Sequence, residues 1–346
     1  MIEVDGSYLE GGGAILRVAT ALSAITGKPV RVFNVRAGRS KPGLMTQHLE
    51  SLKAVALLCS GRLDNAFTGS TEIEMHPGRI QPRDISVTIA TAGAIGLLFQ
   101  SVSAPICLAD TDVRVSILGG ATFARWAPPL PAIQRVLLPL LESMGYPAEL
   151  EIARHGFFPK GGARVKITGH PSRYRRPLVL TEPGEASIVR GISVASTHLQ
   201  KAQVADRQAR AAGQTLGQAG LKAQVEREYV DAVCPGSGIV LWAETGARAI
   251  IGGDSIGERG KPSEQVGEEA ANALIETVRS GAAVDEHLSD QLLLFMALAK
   301  GRSVITTPRL TGHAKTNMHV IKQFLPVEFE VKEDALVRIE CSGSVN

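Results

Sequence analysis

The chain has 346 residues, 37 Lys+Arg against 34 Asp+Glu, 44% hydrophobic residues and 4 Cys. Such a length supplies about two domains with cores of their own, and it excludes disordered, collagen-like and small disulfide-stapled classes. A net charge of +3 is too small to define a partner.

Aromatics make up 4%, beside 36 Gly and 18 Pro, which indicates an α/β chain of aliphatic strands, small-residue helices and tight turns. Cys59, Cys107, Cys234 and Cys341 are scattered, with no Cys-x-x-Cys. They predict buried thiols in a reducing compartment, by default the cytoplasm. The opening Met1 to Asp5 lacks a basic flank followed by an apolar stretch, so no signal peptide is expected.

Along the chain, Gly13-Ala-Ile-Leu-Arg-Val-Ala-Thr-Ala-Leu-Ser23 is echoed eighty residues later by Gly93-Ala-Ile-Gly-Leu-Leu-Phe-Gln-Ser-Val-Ser103. A third apolar helix is predicted at Asp290 to Ala299. Each is followed by a β-branched run: Val30 to Val35, Val113 to Ile117, and Ser303 to Thr307. A second amphipathic helix comes next in each copy, at Met45 to Leu58, Pro131 to Met144 and Met318 to Phe324. Alternating strands follow, such as Glu149 to Ala153, Ala163 to Ile167 and Val327 to Val331. The unit is strand, helix, strand, helix, strand, strand, repeated three times.

Ala90 to Ala109 is uncharged over twenty residues, near the length of a membrane span. Its Thr91, Gln100, Ser101, Ser103 and Pro105 indicate a strand end and a buried helix instead. No membrane partner is expected.

Between the second and third copies, residues 182–277 break the pattern and carry strand and helix signals of their own. The expected division is a large three-repeat domain, 1–181 and 278–346, with 182–277 as an inserted small domain. Residues 182–276 hold 9 Lys+Arg against 13 Asp+Glu, leaving 28 against 21 elsewhere. A polyanion should prefer the body.

Several short motifs carry possible chemistry. Gly253-Asp-Ser255-Ile-Gly257 fits a hydrolase nucleophile elbow, but a Gly- and Pro-rich loop follows where that fold needs a helix. A plain turn is the stronger reading. No Gly-x-x-x-x-Gly-Lys-Ser/Thr occurs, so no ordinary P-loop is present. Glu10-Gly-Gly-Gly13 precedes the first helix and can offer backbone N–H groups to an anion, or simply permit a tight turn.

Arg36-Ala-Gly-Arg39-Ser-Lys41-Pro-Gly43 is either a phosphate cradle or a solvated basic loop. Gln47 and His48 then open the second helix. His155-Gly-Phe-Phe-Pro-Lys160-Gly-Gly162 suits a nucleic-acid groove or a hairpin corner equally. His287 and His313 each start a helical element of the third copy beside polar groups, without zinc-ligand spacing.

Taken together, these stretches resemble RNA 3'-terminal phosphate cyclases over essentially the whole chain. The carrying residues are Asp5-Gly6, Glu10-Gly-Gly-Gly-x-x-Leu-Arg17, Arg36-Ala-Gly-Arg39-x-Lys-Pro-Gly43, Gln47-His48, Ala92-Gly93 with Gln100, Ala127-Pro128-Pro129, His155 to Gly162, Leu288-x-Asp290-Gln291 and His313-x-x-x-Asn317. The resemblance implies three helix-on-sheet repeats plus a smaller insert. It implies ATP-dependent conversion of an RNA 3'-phosphate end to a 2',3'-cyclic phosphate, through a histidine–AMP and an RNA-3'-pp-5'-A intermediate.

On that basis His313 is the nucleophile, and Gln100, Pro128, His287, Leu288, Ser289, Asp290 and Gln291 bind the nucleotide. Arg17, Arg39, Lys41 and Gln47 bind phosphate or RNA, and Glu10 holds a divalent cation, Mg or Mn. His287 stands where the family often has Tyr, and Gly120-Ala121-Thr122 where Gly-Gly-Thr is usual. The alternatives are a non-cyclising RNA-binding relative in RNA processing or ribosome biogenesis, an enolpyruvyl transferase, which has six repeats in a longer chain, and an esterase based on Ser255.

Overall fold

The computed structural model describes residues 1–9, 11–81 and 83–344. Its first unit is β1 (Ile2–Asp5), α1 (Gly13–Thr26), β2 (Val30–Phe33), α2 (Thr46–Leu58), β3 (Arg62–Asp64) and β4 (Ile73–His76). The strands lie in the order β1-β2-β4-β3, with β1 parallel to β2 and the other neighbours antiparallel.

The second unit repeats this plan with β5 (Ile85–Ala94), α3 (Ile95–Cys107) and β6 (Val113–Ala121). Its second helix is α4 (Leu130–Ala132), running through π-helical Ile133–Leu137 into α5 (Leu138–Ser143), and β7 (Ala148–Arg154) and β8 (Arg164–Gly169) follow. The order is again β5-β6-β8-β7. The uncharged stretch from Ala90 is thus a strand end and a buried helix, and no helix among the described residues is long and apolar enough to cross a membrane.

The third unit opens with a two-residue strand, β9 (Val179–Leu180). The chain then leaves for β10 (Ala186–Ser196), α6 (Val204–Gln218), β11 (Ala223–Val230), β12 (Ser237–Thr245), β13 (Ile250–Ile256) and α7 (Ser263–Ser280). It returns to complete the unit with α8 (Glu286–Leu298), β14 (Ser303–Thr307), α9 (Gly312–Phe324), β15 (Phe329–Glu333) and β16 (Val337–Cys341). Because β9 pairs in parallel with β14, the extra segment interrupts the third repeat after its first strand. The expectation had put it between the second and third copies.

Alternation makes each repeat sheet one-sided. In β6, Val113, Val115 and Ile117 are buried, whereas Arg114, Ser116 and Leu118 are exposed, so one face takes helices and the other meets water. The buried faces of all three sheets and of α1, α2, α3, α8 and α9 belong to one continuous core. Residues of the extra segment form a sheet ordered β11-β10-β12-β13, with a second cluster that includes Val189, Ile239, Leu241, Val266 and Leu274.

Gly253 lies in β13 where α7 crosses closely: a Cβ there would come 2.4 Å from the Ala270 carbonyl oxygen. Ser255 pairs with Ile239 inside the β12–β13 ladder, and its Oγ donates to Glu269 at 2.7 Å. A serine in mid-strand is not on a strand-to-helix elbow, so the esterase reading has no structural basis. The four cysteines are buried and free.

Candidate active site

The α9 helix begins because the Thr311 side chain caps it, accepting from the Ala314 N–H at 2.9 Å. His313 therefore lies in its first turn. Asp285 caps α8 in the same way, accepting from the N–H groups of His287 and Leu288. Neither α1 nor α9 has an acidic residue in its first turn, so the positive ends of both dipoles stay available to an anion.

The first turns of α8 and α9 and the start of α1 line a cavity of about 840 Å³. Its walls include Arg17, Gln100, Pro128, His287, Leu288, Asp290, Gln291, His313 and Asn317. Eight of the residues expected at the site thus share one cavity: all those just named except Asn317. His313 is half-buried and faces this space, not an apolar interior.

Arg17 is hemmed in by protein while its side chain reaches the cavity. Burial pulls its pKa down to about 10, against the attraction of Asp290, which leaves it cationic at neutral pH. Its Nε donates to Gln100 Oε1 at 3.0 Å. Beside it, His48 Nδ1 accepts from the Met45 N–H at 3.3 Å, so the neutral ring carries its proton on Nε2. Burial, then Arg17 and Arg36, push the His48 pKa down to about 3.

The geometry fits a polar ligand with donor groups. Asn317 follows His313 by four residues on the same helix face. Its Nδ2 donates to the Asp290 carbonyl at 3.0 Å, while its buried Oδ1 has no hydrogen-bond partner. Gln291 Nε2 likewise donates to the His287 carbonyl, and its buried Oε1 also has none. Two unsatisfied acceptors in a cavity wall call for N–H or O–H groups from a ligand, of the kind an amino-purine or a ribose carries.

Other expected residues sit elsewhere. Ser289 is fully buried, its Oγ donates to the Glu286 carbonyl, and it is not among the residues that line the cavity. Arg39, Lys41 and Gln47 do not line the cavity. Arg39 Nη2 reaches the glycine turn, 3.3 Å from where a Gly12 Cβ would lie. Lys41 is exposed, and its carbonyl accepts from Arg36.

Glu10 lies outside the described residues. Among the described residues, the group with the geometry to hold a metal ion is Asp64, Glu74 and His76, on β3 and β4 of the first sheet. Of the cavity carboxylates, Glu258 is paired with Arg125, Glu286 with Arg309, and Asp285 serves as a helix cap. The His155–Gly162 loop is a hairpin corner. His155 and Phe157 are buried beside Phe123, and only Phe158, Pro159 and Lys160 are exposed.

Sequence reasoning missed the wall contributed by the extra segment, where Asp254, Ser255, Glu258, Lys261 and Glu276 face the cavity. Ion pairs between Arg125 and Glu258, and from Arg309 to Glu276 and Glu286, tie this wall to the repeats around the opening.

Three repeats sharing one core, with a cavity at converging helix starts into which the Arg17 guanidinium reaches, define an α/β protein whose site offers an anionic ligand helix N-termini and a cation. The family described as RNA 3'-terminal phosphate cyclase matches residues 8–331, and the chain belongs to that family. The RNA 3'-terminal phosphate cyclase of Methanopyrus kandleri is 42% identical, with 99% of each chain covered. That of Thermococcus onnurineus is 44% identical over 98% of this chain and 99% of its own. Among solved structures, the enolpyruvyl transferase NikO from Streptomyces tendae matches with a TM-score of 0.39 and 10% identity, over 97% of this chain and 47% of its own.

Proposed function

We propose that the protein is an ATP-dependent RNA 3'-terminal phosphate cyclase with His313 as its nucleophile. The observation that carries this reading is His313 in the first turn of α9, lining the same cavity as half-buried, cationic Arg17.

A ring nitrogen of His313 attacks the α-phosphorus of ATP. A P–N bond forms, the bond to the bridging oxygen breaks, and pyrophosphate leaves with that electron pair while the ring gives up its proton. An oxygen of the RNA 3'-phosphate then attacks the same phosphorus, returning His313 and giving RNA-3'-pp-5'-A. The vicinal 2'-OH finally attacks the RNA phosphorus, loses its proton and expels AMP, closing the 2',3'-cyclic phosphate.

Arg17 and the dipoles of α1 and α9 meet the charge that builds on the phosphoryl oxygens. Asn317 and Gln291 supply acceptors for the nucleoside. Glu10, which the resemblance makes the ligand of a divalent cation, lies outside the described residues, so none of these steps is routed through one.

Label from α-phosphate-labelled ATP should enter the protein in an acid-labile, base-stable linkage, and a 3'-phosphorylated oligonucleotide should lose the mass of one water. Undiminished labelling of His313→Ala would remove the nucleophile assignment. The non-cyclising alternative is disfavoured because it has no use for an imidazole that shares a cavity with a cationic guanidinium.

A further inference from the structure

Trp126 is 92% exposed, although the chain has only two tryptophans and the other, Trp242, is buried. Its φ is +57°, a left-handed conformation that a bulky side chain rarely adopts. The loop that carries it is otherwise tied down. Phe123 is buried in the core, the Thr122 N–H donates to the Gly156 carbonyl at 2.9 Å, the Leu130 N–H returns to the Thr122 carbonyl, and Arg125 is paired with Glu258.

A strained backbone in a fastened loop thus holds an indole in water, where Trp126 lines the rim of the cavity containing His313 and Pro128. Strain kept at such a position points to a bound partner.

We propose that Trp126 is a stacking platform for the terminal nucleobase of the RNA 3' end, a subsite that holds the end while its phosphate reaches into the cavity. The inference rests on the cyclase reading for the identity of the strand. The occupant is a nucleobase because the loop opens onto the cavity that Arg17 enters, in a body with 28 Lys+Arg against 21 Asp+Glu, and a single strand brings both phosphates and flat faces. An aromatic ring binds any base by its π face, so the contact holds the end without selecting sequence.

The decisive experiment pairs Trp126→Ala with 3'-phosphorylated oligonucleotides that have or lack the terminal base. With the base present, the variant's KM for RNA should rise about tenfold, and by much more than its KM for ATP. Trp126→Phe should recover most of the difference. With an abasic end, wild type and Trp126→Ala should converge. Trp126→Gly, which suits a positive φ, serves if alanine destabilises the loop.

Equal losses on both oligonucleotides would overturn the proposal, and a matching rise in the KM for ATP would reassign the ring to adenine. Fluorescence separates the two levels of inference. Quenching of exposed tryptophan emission by the oligonucleotide, absent in Trp126→Phe, supports the platform even if wild type closes no cyclic phosphate. That failure to cyclise would sink the cyclase reading alone, whereas an oligonucleotide that binds without quenching sinks the platform.

Discussion

Arg17 Nε donates to Gln100 Oε1 at 3.0 Å, joining the first helix of one repeat to the first helix of the next at the wall of the cavity. The amide fixes the guanidinium without neutralising it, which matters if Arg17 is to meet phosphate charge. Gln100→Glu keeps the size but gives Arg17 an anionic partner and sets a second negative charge against the triphosphate. Self-labelling by ATP should fall about 10²-fold in Gln100→Glu, the scale of losing one preorganised charge contact. Gln100→Ala, which only loosens the guanidinium, should lose less. Equal initial rates of labelling in the two variants would show that charge at this position is immaterial.

His48 sets an acid limit on stability. The native state refuses its proton until about pH 3, against 6.5 for an ordinary imidazole. Between those values the unfolded chain binds one proton more than the native protein. Stability therefore rises with pH across this window and is lost as pH falls through it, by on the order of 1 kcal/mol per pH unit. His48→Gln can still accept from the Met45 N–H and does not titrate. From pH 6.5 to 4 its Tm should drop less than that of wild type; parallel curves would mean that His48 is protonated in the native state.

The repeats were legible because a spacing of eighty residues and the 3.6-residue rhythm of buried helices survive as pattern, and β14 falls on the expected Ser303–Thr307. The two residues of β9 carry no such pattern, so the first strand of the third unit was hidden, although the expected bounds of the extra segment, 182–277, begin just after it. At the site, a contiguous stretch from His287 to Gln291 reads as one binding motif. On a helix each residue turns about 100°, which carries Ser289 to the core side while His287, Asp290 and Gln291 keep the cavity side. Asp254 and Lys261 gave no sequence signal because they reach the cavity only through packing between the extra segment and the repeats. Trp126 stood beside Ala127-Pro128-Pro129, and its exposure depends on a backbone angle that residue types do not reveal.

Gly13 is required by close approach. A Cβ there would come 2.4 Å from His48 Nε2 and 2.9 Å from Arg17 Nη1. The His48 ring is held by its bond to Met45 and cannot swing away freely, so Gly13→Ala must displace the start of α1 or the guanidinium. We expect a stability loss of about 1–3 kcal/mol, typical of overpacking, together with a fall in self-labelling larger than the change in Tm explains. In Gly13→Ala/His48→Ala the space is restored, and labelling should partly recover. A double variant no better than Gly13→Ala would show that the clash is not with the imidazole.

Asp254 gives the opposite pH dependence to His48. It faces the cavity from the extra segment as an exposed residue, where the surrounding protein and then repulsion from Asp285 raise its pKa to about 7, with His287 acting against them and the solvent at this position weakening the effect on stability. An unfolded aspartate ionises near 3.8, so from there to about pH 7 the native state holds a proton that the unfolded chain has lost. Stability is greatest at the acid end of that window and declines as pH rises through it. Asp254→Asn should melt higher than wild type at pH 8, with the gap closing towards pH 4. The same carboxyl adds a negative charge beside the triphosphate as it ionises, so the wild-type KM for ATP should climb between pH 6 and 8 while that of Asp254→Asn stays flatter. A KM profile identical in the two proteins would show that the carboxylate lies too far from bound nucleotide to be felt, even if the melting difference is observed.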